Sequence, residues 1–186
     1  MNILLHICCG PCLIYPFGRL KEQGIKISGF YYNPNIYPVD EYQRRVEALK
    51  TLSREFSLSV EYPGYREADF SQAIANQENL PQRCSSCWSL RLRATARQAK
   101  DNGFTAFSTT LLVSPYQNHE LLKQLGYQIG QEAGINFHYE DFRSGFKQAQ
   151  VEARNRGIYR QKYCGCRYSM PPVRVTLDSQ EEISKR

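Results

Sequence analysis

Asn2-Ile3-Leu4-Leu5-His6-Ile7-Cys8-Cys9-Gly10-Pro11-Cys12 is the stretch on which the fold turns. Asn2–Ile7 is a short apolar run cut off by a Gly-Pro signal, the pattern of a buried strand that empties into a loop. Leu13–Gln23 follows as a predicted helix closed by Gly24, with Pro16 placed near its tolerant first turn. Ile25–Tyr32 is rich in β-branched and aromatic residues and is predicted as a second strand.

The same alternation continues along the chain. Val39–Phe56 carries an apolar stripe at helical spacing through Val39, Tyr42, Val46, Leu49, Leu52 and Phe56. Leu58–Tyr62, Thr105–Leu112 and Asn136–Tyr139 are predicted strands. Asp69–Asn76 (with Asp69 as N-cap), Cys84–Lys100, His119–Ala133 and Phe146–Arg156 are predicted helices. Strands alternating with helices imply right-handed crossovers, hence an α/β fold: a parallel sheet with helices on both faces. Ligands of such sheets bind beyond the carboxyl ends of the strands. The Cys8-Cys9-Gly10-Pro11-Cys12 loop and the Ser108–Tyr116 segment should meet there.

The 186 residues suit one α/β domain over 1–170, with a polar tail over 171–186. No stretch of about 18 apolar residues suggests a membrane span, and residues 1–7 lack the pattern of a signal peptide. The expected location is therefore cytoplasmic, with no membrane partner. In a reducing compartment, clustered cysteines point to metal binding or redox chemistry rather than to structural disulfides.

The seven cysteines fall into three groups. Cys8, Cys9 and Cys12 share the first loop. Cys84 and Cys87 lie at i and i+3 near a helix start, on one face and close to the positive end of the dipole. Cys164 and Cys166 flank Gly165, where a disulfide would close a small, strained and readily reduced ring; metal ligation is the alternative for that pair. Four thiolates suit either tetrahedral zinc or an iron–sulfur cluster. Adjacent Cys8 and Cys9 favour a cluster, whose separate irons accept neighbouring ligands. Cys12 is left with three readings: substitution for Cys8 or Cys9, a second iron or zinc ion, or packing.

The net charge of +6 is concentrated at Arg91, Arg93, Arg97 and Lys100 and again at Arg154, Arg156, Arg160, Lys162 and Arg167. Such clusters suit a phosphate-rich partner, or else solvated helix faces. Thirteen tyrosines include Tyr31, Tyr32, Tyr37, Tyr116, Tyr159 and Tyr163 beside the motifs, where rings can stack on an unpaired base.

Several motifs, in order, resemble the QueH-type epoxyqueuosine reductases. They are His6–Cys12, Tyr32-Asn33-Pro34-Asn35-Ile36, Arg83–Cys87, Ser108–Gln117, Glu140-Asp141-Phe142-Arg143 and Tyr159–Cys166. Tyr37 departs from the histidine expected in the Asn-Pro-Asn-Ile loop. The resemblance implies an adenine nucleotide hydrolase-like (HUP-type) core and reduction of epoxyqueuosine to queuosine at the wobble position of tRNA, without cobalamin. It further implies a four-iron (4Fe-4S) cluster on Cys8, Cys9, Cys84 and Cys87, and a redox-active Cys164–Cys166 disulfide. The partners implied are tRNA carrying epoxyqueuosine and an electron donor that the sequence does not name. Asp141, Tyr163 and His6 are candidate proton donors, with a salt bridge to Arg143 or a helix cap as the alternative for Asp141. Two rival readings are a zinc-stabilised RNA-binding module and a tRNA sulfur-transfer enzyme; the latter calls for a phosphate-cradling Ser-Gly-Gly-type loop where this chain has Cys-Cys-Gly-Pro-Cys.

Overall fold

The computed structural model describes residues 1–171, so the expected tail lies, but for Pro171, outside the described residues. Five strands form one sheet: β1 (Asn2–His6), β2 (Lys26–Phe30), β3 (Val60–Glu61), β4 (Ala106–Thr109) and β5 (Asn136–Phe137). Their order is β3-β2-β1-β4-β5, and every pairing is parallel. β1 is central, with Ile3, Leu4 and Leu5 almost wholly buried, which is why its sequence is a continuous apolar run rather than an alternation.

The helices are α1 (Gly10–Glu22), α2 (Val39–Glu55), α3 (Glu67–Ala73), α4 (Gln82–Asp101), α5 (His119–Ala133) and α6 (Phe146–Asn155). α1 packs on α2 and α6, and α4 packs on α5, giving the two helical layers that right-handed crossovers require. Chain order reverses between β1 and β4. That reversal opens a crevice at their carboxyl ends, the place where such sheets receive ligands.

Several boundaries differ from the sequence expectation. α1 begins at Gly10, three residues early, because the Cys9 sulfur caps it by accepting from the Cys12 amide at 3.3 Å. Cys12 therefore lies in the first helical turn, and Pro16 lies inside the helix. β4 ends at Thr109, whose hydroxyl accepts from the Leu111 amide and turns the chain into a 3-10 helix over Thr110–Val113. Asp69 sits in the first turn of α3 rather than at its cap; it accepts from the Tyr32 hydroxyl at 2.7 Å and pairs with Arg66 at 3.2 Å. Among the described residues no helix is long and apolar enough to cross a membrane.

Candidate active site

β1 delivers Cys8 and Cys9 to the crevice, and α1 brings Cys12 back to them. The three sulfurs lie within 4.8 Å of one another, with Cys8 and Cys9 at 4.0 Å. One tetrahedral ion with metal–sulfur bonds of about 2.3 Å holds its sulfurs ~3.8 Å apart, so the triad has the size of a metal-binding group. The Cys8 thiol is held well below its ordinary range by hydrogen bonds from Cys12 and Cys9, with Thr110 and His6 contributing against the cost of burial. Cys9 is raised by burial, and Cys12 by its contacts with Cys8 and Cys9. The triad thus favours one thiolate, Cys8, steadied by two thiols.

Thr110 and Gln161, which lie within the Ser108–Gln117 and Tyr159–Cys166 motifs but carry no site assignment from the sequence, complete this group. The Thr110 hydroxyl accepts from the Cys8 amide at 3.0 Å and donates to the Cys8 sulfur at 3.3 Å. The Gln161 amide donates to the Cys9 sulfur at 3.0 Å. Thr110 reaches the site because β4 ends beside β1 and turns at once; Gln161 arrives from the far end of the chain.

The other four cysteines hold no three sulfurs at this spacing among the described residues. Cys87 and Cys166 pack together with Phe70 and Ile74. Cys84 and Cys164 lie close enough for their charges to act on this pair. Burial pushes the Cys87 thiol up to about 12. All seven cysteines are free thiols, and Cys164 is exposed. Of the expected quartet Cys8, Cys9, Cys84 and Cys87, the structure therefore sets Cys8 and Cys9 at metal-ligand spacing with Cys12, and that group does not include Cys84 or Cys87.

The Cys164-Gly165-Cys166 segment is tied to α2. Arg45 donates to the carbonyls of Cys164 and Tyr163 at 3.1 and 3.0 Å, and its Nε donates to Glu41 at 2.8 Å. Tyr159 donates to the same carboxylate at 2.6 Å. Arg45 and Glu41 are both buried. Gly165 has φ +129°, and a Cβ there would lie 3.1 Å from Arg45 Nη1 and from Ile36, so the loop requires glycine.

Between these parts lies a cavity of about 550 Å³, lined by Cys8, Cys12, Asn35, Arg91, Gln161 and Cys164 among others. Tyr116, 83 % exposed, stands at its rim with its ring edge-on to Phe146. Tyr37 is also exposed, while Tyr31 and Tyr32 are core residues and unavailable for stacking.

The candidate acids fare differently from one another. Asp141 makes a two-pronged ion pair with Arg143, whose side chain holds the carboxyl at about 2. It is ionised at neutral pH and has no proton to give. Asp141 is also not among the residues lining the cavity. His6 is buried, bonds to the Thr109 hydroxyl and the Tyr32 carbonyl, and is lowered to about 4, first by burial and then by Arg91. Tyr163 lines the cavity.

The basic segments are less available than their spacing suggests. Arg91 is buried, Arg93 pairs with Glu132, and Lys100 donates to the Gly134 carbonyl. Arg156 pairs with Glu55 and Glu152, and Arg167 pairs with Glu67. Arg97, Arg154, Arg160 and Lys162 form no ion pair among the described residues, and Lys162 lines the cavity.

A parallel sheet whose central crevice gathers Cys8 and Cys12 from one end of the chain and Cys164 from the other defines an α/β thiol protein equipped to hold a soft metal or to exchange electrons through sulfur. The chain belongs to the QueH family of epoxyqueuosine reductases: the family model "Epoxyqueuosine reductase QueH" matches residues 3–171. It is 38% identical over 170 residues to the epoxyqueuosine reductase QueH of Dehalococcoides mccartyi, covering 90% of this chain and 92% of that protein. It is 34% identical over 193 residues to the Thermotoga maritima protein of the same name, covering 100% and 97%. Among solved structures, a predicted subunit of tRNA methyltransferase from Methanocaldococcus jannaschii shares the fold, with TM-score 0.55 at 12% identity over 83% of this chain and 74% of that one.

Proposed function

We propose that this chain reduces epoxyqueuosine to queuosine at the wobble position of tRNA, the final step of queuosine synthesis, without cobalamin. Family membership over nearly the whole chain, joined to a crevice lined by Cys8, Cys12 and Cys164, carries this reading. Removing an epoxide oxygen consumes two electrons and two protons and yields an alkene and water. Oxidation of two thiols to a disulfide releases the same two electrons and two protons. Cys164 and Cys166 are the pair for that role, because Cys164 is exposed and Gly165 leaves the backbone free to bring the sulfurs together. A separate electron donor then restores the dithiol.

Cys8, Cys9, Cys84 and Cys87 would hold a four-iron cluster. The donor set fits, since soft thiolates are the ligands of such clusters and Cys8 is already disposed to ionise. When bound, an iron centre supplies Lewis acidity toward the epoxide oxygen and a path for electrons. Thr110 and Gln161 orient the Cys8 and Cys9 sulfurs that would hold it by their hydrogen bonds to them. A second reading for the first loop rests on its spacing: the Cys8, Cys9 and Cys12 sulfurs, within 4.8 Å of one another, suit one further iron or zinc ion. Tyr116 at the rim and the unpaired basic residues would receive the anticodon loop.

Metal and sulfide analysis of anaerobically purified protein tests the assignment. Stoichiometric iron and sulfide, with broad visible absorption bleached by dithionite, are expected. Colourless protein holding only zinc would overturn the cluster. Cys164→Ser should abolish turnover with iron retained; loss of iron would make Cys164 a ligand. Cys12→Ser should leave the cluster spectrum in place and remove only an additional ion.

A further inference from the structure

Arg91 is 2 % exposed, and a guanidinium stays protonated under such conditions. A buried charge is costly unless an opposite charge meets it. The other buried arginine, Arg45, has Glu41. Among the described residues Arg91 has no carboxylate within ion-pair distance. Its Nε donates to the Cys87 carbonyl at 3.2 Å, its Nη1 lies 3.4 Å from Asn33 Oδ1, and its Nη2 has no partner. Arg91 shares the cavity wall with Cys8, Cys12 and Cys164, one helical turn beyond Cys87. The groups able to answer this cation in the cavity wall are therefore the sulfurs of Cys8, Cys12 and Cys164.

We propose that Arg91 is the built-in countercharge of the thiolate-held metal centre and sets its reduction potential. The inference rests on the iron–sulfur reading of the site. Cysteine thiolates accumulate negative charge around a cluster, and reduction adds one more. A fixed, desolvated cation beside them stabilises the reduced state more than the oxidised one, and so raises the potential. Neutral Gln in its place should lower the potential; Lys, which keeps the charge, should largely restore it. Arg91 neither donates a proton nor carries an electron. It is a positioning residue of electrostatic kind.

Redox titration of anaerobically purified protein, followed by visible absorption, reads this directly. Arg91→Gln is expected to lower the reduced-to-oxidised ratio at fixed potential at least tenfold, ~59 mV for one electron. Arg91→Lys should stay within about threefold of the parent. An unchanged midpoint in Arg91→Gln overturns the proposal, as does an equal shift in both variants. If Arg91→Gln fails to take up iron, retention of iron by Arg91→Lys supports the need for charge at this position, whereas failure of both assigns Arg91 a structural role and overturns it. A parent protein with no redox-active centre overturns this proposal and the iron–sulfur reading together. Reduction of epoxyqueuosine-bearing tRNA by that preparation would show that the function itself stands.

Discussion

Arg45→Met should loosen the Cys164-Gly165-Cys166 segment and destabilise the whole protein. The guanidinium is buried and makes three directed contacts: to Glu41 at 2.8 Å and to the Cys164 and Tyr163 carbonyls at 3.1 and 3.0 Å. Met preserves much of the apolar stem but leaves the Glu41 carboxylate inside the protein without its main partner. Breaking a buried pair in this way costs about 3–5 kcal/mol. Arg44 remains 3.4 Å from Glu41, but its side chain is largely in water, which places the cost near the lower end, about 3 kcal/mol. For a chain of this length that is a fall in Tm of roughly 6–12 °C. Glu41→Gln combined with Arg45→Met removes the stranded charge and keeps an acceptor for Tyr159. The double variant should recover roughly a third to two-thirds of the loss, retaining about 1–2 kcal/mol from the carbonyls left unpaired. Thermal unfolding of the three proteins at matched metal content measures both effects. A fall below about 2 °C for Arg45→Met, or a double variant no more stable than the single one, would refute the reasoning.

Gly165→Ala places a Cβ 3.1 Å from Arg45 Nη1 at φ +129° and should cost about 1–3 kcal/mol with a marked loss of turnover; a variant as stable and active as the parent contradicts the need for glycine. Asp141→Asn should leave the pH–rate profile above about pH 5 unchanged, because a carboxyl held at about 2 is already ionised there. Its folded-state pKa is depressed, so its small contribution to stability is present above the ordinary carboxylate pKa and is lost as pH falls through about 2. Disappearance of an activity limb in that variant would make Asp141 the proton donor after all. Binding of tRNA should weaken steeply with added salt, since phosphate contacts release counterions; filter binding across a salt series that showed no slope would count against the basic rim.

The architecture was legible because hydrophobic periodicity reports directly on burial. The apolar run Ile3-Leu4-Leu5 reads as a buried strand, which the structure places at the centre of the parallel sheet, and the loop behind it reaches the crevice. Helix starts were harder. Cys9 caps α1 through sulfur, a cap that the preference for Ser, Thr, Asp and Asn does not flag. Thr109 ends β4 by capping the next turn, although its β-branched neighbourhood reads as a longer strand. Linear spacing groups Arg91 with Arg93 and Arg97 because it does not say which side of a helix faces the core. Its position four residues after Cys87 was the available signal, since it puts both on one face. Gln161 and Thr110 meet the cysteines across more than a hundred residues of chain, and no local pattern encodes such pairings.

Nucleoside analysis of tRNA bearing epoxyqueuosine, after anaerobic incubation with the reduced protein and no added cobalamin, tests the central claim most directly. The account predicts loss of one oxygen atom and accumulation of queuosine, abolished by Cys164→Ser. Epoxyqueuosine left intact by metal-replete, reduced protein would contradict it.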